Sequence, residues 1–299
     1  MKRQIRTDLA LEAREIWQEG AQEAGRLDGV KCDEEDFGSF RVTTVDILDE
    51  RGSAELGKAV GRYVTIELDG LIHREENAFE DAVQLLARSL RQMLPSPVPQ
   101  PVLIAGLGNP DITPDAVGPR TIDSVMITRH LKDRMPQFFG RFNSVAAVRA
   151  GVLGTTGLES ADVISAIAGR VSPALIIAVD ALASRRLDRL CRTIQISNTG
   201  ITPGSGVGNS RSELTQDRLG CPVIAVGVPT VVDAVTLAMD LAAQAGNELE
   251  ASVFNSDTDM IVTPRDIDRS VSDVSRLIGY GIDLALHDGL TTADIDMFL

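Results

Sequence analysis

The stretch Val102-Leu-Ile-Ala-Gly106-Leu-Gly-Asn-Pro110-Asp-Ile-Thr-Pro-Asp115-Ala-Val-Gly-Pro119 decides the fold. It opens with the apolar run Val102 to Leu107, the pattern of a strand covered on both faces. It then breaks into Gly, Asn, Pro and Asp, the residues of a tight loop. The same texture returns in Val145 to Val148, Leu175 to Val179 and Val223 to Val228. Helical spacing over Gly118 to Leu131, Glu159 to Ala168 and Thr230 to Ala245 separates the runs, and Pro264 to Leu286 adds a last helix. Strands alternating with helices predict an α/β fold with a mostly parallel, wound central sheet.

Upstream, Pro95-Ser-Pro97-Val-Pro99 reads as a linker. Before it, Thr7 or Asp8 caps a helix with Leu9, Ala13, Ile16, Trp17 and Ala21 on one face. Phe37 to Asp49 and Arg62 to Asp69 read as strands, with Val64, Ile66 and Leu68 alternating against Thr65 and Glu67. They predict a small subsidiary β-sheet, followed by a helix from Glu75 to Leu94. The expected organisation is one domain over 1–299, with an N-terminal helix, small sheet and helix in 1–94 and the wound sheet in 101–299.

The chain has 299 residues, 43 acidic against 29 Lys and Arg, a net charge of −14 and 43% hydrophobic residues. This is the composition of an ordinary globular protein. Its acidity argues against direct nucleic-acid binding, which needs a concentrated basic face. No run is long enough to span a bilayer and no signal-peptide core opens the chain, so a cytoplasmic protein without a membrane partner is expected. The three cysteines are widely spaced with no CxxC pair, which suggests neither a disulfide framework nor a zinc site.

In wound α/β sheets, ligands bind beyond the carboxyl ends of the strands. Three such endings stand out. The first presents Asn109, Asp111 and Asp115; lacking the third glycine and interrupted by prolines, it is not a dinucleotide loop. The second is Val179-Asp180-Ala-Leu-Ala-Ser184-Arg185, an acid directly after an apolar strand, which costs desolvation unless used or paired. Two neighbouring strand-end carboxylates can share one proton, one serving as base toward water while its protonated partner polarises a carbonyl. The third, Gly200 to Arg211, is glycine-rich and offers backbone N–H groups to a substrate or equally makes a flexible turn, while Asn209 and Arg211 are candidate ligand contacts. His73, His130 and His287 adjoin no strand end and no GxSxG elbow exists, so a nucleophilic triad is poorly supported. Carboxylates alone give a weak metal signal, and no metal or cofactor is expected.

Arg6-Thr-Asp-Leu-Ala10, Gly106-Leu-Gly-Asn109, Thr113-Pro-Asp-Ala116 with Gly118-Pro119, Gly154-Thr-Thr-Gly157, Val179-Asp-Ala-Leu-Ala-Ser-Arg185 and Gly227-Val-Pro-Thr-Val-Val-Asp233 closely resemble the spore germination protease family. The resemblance covers nearly the whole chain. It implies an atypical aspartic-type endopeptidase that starts the degradation of small acid-soluble spore proteins. It also implies an α/β three-layer sandwich related to hydrogenase maturation peptidases, a homotetramer, and a cytoplasmic location in the spore core. Asp115 and Asp180 match the family's catalytic pair; Asp180 is expected to be the base and Asp115 the proton-sharing partner. Asn109, Asp111, Ser184, Arg185, Asn209 and Arg211 are the expected substrate-binding residues. The family is made as a zymogen with a short propeptide before the Arg-Thr-Asp-Leu-Ala segment. Only Met1 to Ile5 precede Arg6 here, the pattern of a near-mature form or of a member without that control. The competing readings are a hydrolase resembling peptidyl-tRNA hydrolase or the hydrogenase maturation peptidases, and a non-catalytic protein that binds spore proteins.

Overall fold

The fold is taken from a computed structural model that describes residues 5–20, 27–73, 75–208, 211–246 and 260–299. Ala21, expected on the first helix, and Asn209, expected at the site, lie outside the described residues. The strands are β1 (Val30–Phe37), β2 (Phe40–Ile47), β3 (Gly61–Glu67), β4 (Val102–Gly106), β5 (Val145–Arg149), β6 (Leu175–Ser184), β7 (Thr193–Ser197), β8 (Val223–Asp233) and β9 (Ile261–Val262). Among the described residues these nine form one sheet in the order β1-β2-β3-β7-β8-β6-β4-β5, with β9 added to β8.

The segment β5-β4-β6-β8 is parallel, as the apolar runs predict. From β8 outward through β7, β3, β2 and β1 every pairing is antiparallel, so the sheet is mixed rather than mostly parallel. Nor is there a separate subsidiary sheet, because β3 pairs with β7 from Tyr63 opposite Ser197 to Glu67 opposite Thr193. Every residue of β7 is buried. Its free edge would strand backbone donors and acceptors in the interior, and β3 satisfies them. The strand β1, Val-Lys-Cys-Asp-Glu-Glu-Asp-Phe, is not among the strands expected from sequence, and most of its residues are charged. They face solvent on the outermost strand, where charge guards an open edge against pairing with another chain.

Alternate strand residues feed two cores on opposite faces of the sheet. Ile104, Ile177 and Val226 join residues of the helices Ala78–Met93 and Ile267–Leu286. Leu103, Ile176, Ala178 and Val223 instead meet Ala161, Ile164 and Ala168 of the helix Ser160–Val171. Continuous burial of this kind stabilises by roughly 1.5–3 kcal/mol per large aliphatic side chain.

Three boundaries move. The helix expected over Gly118 to Leu131 is two, Val117–Ile122 and Arg129–Arg134. Between them the Met126 N–H donates to both carboxylate oxygens of Asp283, at 3.1 and 3.0 Å, instead of continuing a helix. The strand β8 runs on to Asp233, whose side chain accepts from the Thr236 N–H and starts the helix Ala234–Gln244. The strand β6 runs on to Ser184, pairing with β8 from Ile176 onward with a register shift between Leu182 and Ala183.

Candidate active site

That last extension changes where Asp180 lies. The strand β4 stops at Gly106 opposite Val179, and the Leu107 N–H gives one more bond, 2.8 Å, to the Val179 carbonyl. Asp180 is therefore inside β6, opposite Gly227 of β8, just past the point where its other neighbour ends. The order β5-β4-β6 makes the β4/β6 boundary the topological switch point, since the chain leaves β4 to one side and returns to the other. Crevices at such points are where wound sheets bind ligands.

Asp115 arrives from the loop after β4. A single turn of 3-10 helix, Thr113–Asp115, leads into Val117–Ile122. The turn is fixed from two sides: the Thr230 hydroxyl, within β8, donates to the Pro114 carbonyl at 2.7 Å, and the Thr113 hydroxyl to Asp268 at 2.7 Å. The helix then presses backbone to backbone on the strand ends, since a side chain on Gly118 would strike the Leu107 and Val179 backbone.

Both carboxylates line a cavity of about 700 Å3, well within the roughly 300–1,000 Å3 usual for ligand sites. Its walls include Asn109, Ile112, Leu153, Gly154, Glu159, Pro203, Gly204, Arg211 and Thr230. Asp180 is 4% exposed, and burial, then the negative charge of Asp115, pushes its pKa well above the ordinary carboxylate range. The N–H of Ala181, 2.9 Å from its Oδ1, opposes this. Burial also raises Asp115, while the Asn109 N–H, 2.7 Å from its Oδ2, favours the charged form. Like charges that influence one another in a dry site titrate as a pair, and the first proton is held where desolvation is worst, here on Asp180. Among the described residues no three His, Cys, Asp or Glu side chains gather into a metal-ligating cluster.

The structure divides the expected substrate contacts. Asn109 and Arg211 line the cavity, with the Arg211 guanidinium 3.9 Å from Glu159, which lines it too. Asp111 lies at the surface outside the cavity, its N–H closing an Asx turn on Asn109. Ser184 is fully buried and donates to the Arg186 carbonyl, away from the cavity. Arg185 is also buried, its guanidinium bound to Asp240 at 2.6 Å and Glu19 at 2.7 Å. The sequence reading missed Asp8, which enters the cavity wall from the N-terminal segment. It read as a helix cap, but its carboxylate accepts from Ala183 and Ser205 while Thr7 accepts the Leu9 N–H.

Comparison with known proteins gives the family. The sequence model of the germination protease family matches residues 10–246. A germination protease of Caldanaerobacter subterraneus subsp. tengcongensis is 44% identical over 99% of this chain and 98% of its own length. One from Clostridium perfringens is 41% identical over 99% of both, and one from Oceanobacillus iheyensis 45% identical over 79% of this chain and 66% of its own. With the matched segment carrying the whole switch-point cavity except Asp8 and Ile261, this chain belongs to the germination protease family.

Proposed function

We propose that this chain is an endopeptidase that begins the degradation of small acid-soluble spore proteins during germination, activating water between Asp115 and Asp180. The observation that carries the reading is the pairing of these carboxylates in one cavity at the switch point, one of them almost wholly desolvated.

Each carboxylate accepts one backbone N–H, but Asp115 is only partly buried and keeps its charge more readily than Asp180; it is the base that takes a proton from water. Asp180, holding the shared proton, donates to the scissile carbonyl oxygen as the water oxygen attacks the carbonyl carbon. The resulting tetrahedral diol collapses when the proton on Asp115 passes to the departing amide nitrogen. The diol hydroxyl returns its proton to Asp180, and the pair is restored. These roles reverse the order expected from sequence, because Asp180 sits within a strand rather than after one and loses more solvent.

Asn109 and Arg211, which line the cavity, contact the substrate in this reading. Layers of helix on both faces of the sheet support the three-layer sandwich. A homotetramer in the spore core belongs to the same proposal, through family resemblance. The test is cleavage of a purified small acid-soluble spore protein by the wild-type chain, Asp115→Asn and Asp180→Asn, with circular dichroism of each. Discrete cleavage lost in both folded variants supports the reading. A wild type that only forms a stoichiometric complex makes the chain a binding protein.

A further inference from the structure

The N-terminal segment before the first helix is built into the site. The Asp8 N–H donates to the Ala183 carbonyl at 2.9 Å, and the Ala183 N–H returns a bond to Asp8 Oδ2 at 2.8 Å. The other oxygen, Oδ1, accepts from the Ser205 hydroxyl at 2.6 Å. One carboxylate thus ties the end of β6 to the glycine-rich loop, whose Pro203 and Gly204 form a cavity wall. The fit excludes any side chain at Gly206, where a Cβ would strike the Asp8 carboxylate and the Ala183 methyl. Gln195 holds the Asp8 carbonyl at 3.2 Å and Lys58 the Thr7 carbonyl at 2.9 Å, so the segment is anchored from below as well.

Asp8 and Leu182 also line a second cavity, of about 280 Å3, whose walls include Lys58 and Glu213. We propose that Asp8 is a third carboxylate of the site, a positioning residue that latches the glycine-rich loop to β6 and sets a fixed negative charge beside the Asp115–Asp180 pair. The proposal rests on the reading of that pair as the proteolytic machinery. Both Asp8 oxygens are occupied by donors, so it is no candidate for the base. Its effect passes through the pair: a neighbouring negative charge makes the shared proton harder to lose. Burial and then the charge of Asp115 raise Asp180, and the charge of Asp8 adds to them in the same direction as the smallest of the causes. Among the described residues the charged groups around them include Glu159 and Arg211 on the cavity wall, Arg6 against Gly208 of the glycine-rich loop, Glu213 in the adjoining cavity, and Lys58 and Glu12 beside the N-terminal segment.

The experiment is the pH profile of cleavage of a small acid-soluble spore protein by the full chain. It is run for wild type, Asp8→Asn, Asp8→Glu, Asp8→Ser and Asp180→Asn, with NMR titration of the pair's carboxyl carbons in the free proteins. The alkaline limb, where the shared proton is lost, moves to lower pH by about half a unit or more in Asp8→Asn. In Asp8→Glu, which keeps the charge, it returns toward wild type. A limb and a titration that superimpose on wild type overturn the proposal, however far the rate falls, since a purely structural loss leaves them in place. If Asp8→Asn does not fold, Asp8→Ser decides: loss of the charge moves limb and titration to lower pH, and no movement overturns the proposal. Undiminished cleavage by Asp180→Asn overturns the reading of the pair, and this proposal with it; loss there with an unmoved Asp8→Asn limb overturns only Asp8.

Discussion

Gly106 and Gly118 meet backbone to backbone: a Cβ on Gly106 would stand 2.5 Å from the Gly118 carbonyl oxygen. This contact sets the helix Val117–Ile122 directly on the ends of β4 and β6, and so decides how far Asp115 reaches toward Asp180. Gly118→Ala must push the helix off the strand ends, with a cost of about 1–3 kcal/mol as in other overpacked cores. Thermal unfolding reads the loss. Activity is expected to fall further than stability, because the displaced element carries a carboxylate; an active, destabilised variant would contradict that link.

Asp115→Asn and Asp180→Asn each remove one half of a proton exchange. A loss of roughly 100- to 10,000-fold in kcat/KM is expected of each, the usual contribution of general acid–base catalysis. Asp180→Asn is expected to keep or gain stability, since it replaces a carboxyl that is costly to ionise in its buried place. Comparison of urea midpoints with kcat/KM separates the two effects.

Arg185 joins the N-terminal helix to the helix Ala234–Gln244 through Glu19 and Asp240. Its side chain and that of Asp240 are 7% and 5% exposed, so Arg185→Met leaves a buried acid without its cation. Breaking one partner of such a pair costs about 3–5 kcal/mol. The drop appears in urea unfolding, with KM of the surviving folded enzyme unchanged. A raised KM at unaltered stability would return Arg185 to the substrate site.

Two groups at the end of the helix Ile267–Leu286 give stability opposite slopes in pH. Burial, aided by the charge of Lys132, pushes His287 from 6.5 down to about 4, so the unfolded chain takes up a proton first as pH falls. Its contribution is complete above about 6.5 and is lost toward 4, on the order of 3 kcal/mol. Asp283 is raised well above 3.8 by burial, against the Met126 N–H, so the folded chain holds a proton that the unfolded one releases. Its contribution is complete below 3.8 and declines as pH rises through the raised folded value. Urea unfolding across pH is expected to show the alkaline-side decline flattened in Asp283→Asn. Curves parallel to wild type would show that Asp283 does not cause it.

The apolar runs after Pro101 and the loops that end them determined the parallel half of the sheet, because burial on both faces demands apolar residues at every position. They also marked Asp115 and Asp180, since acids beside such runs need a use or a partner. What only the tertiary structure decided depends on who pairs with whom. Ser184 and Arg185 look like loop residues in Val179-Asp-Ala-Leu-Ala-Ser-Arg185, yet β6 carries on through Ser184 because β8 runs alongside it, and both turn away from the cavity. Asp8 lies 172 residues before Asp180 in the chain and comes to the same cavity through bonds to Ala183 and Ser205. No local pattern encodes that meeting. Periodicity reports which face of an element is buried, whereas the order of strands in a sheet depends on backbone edges that any sequence can satisfy.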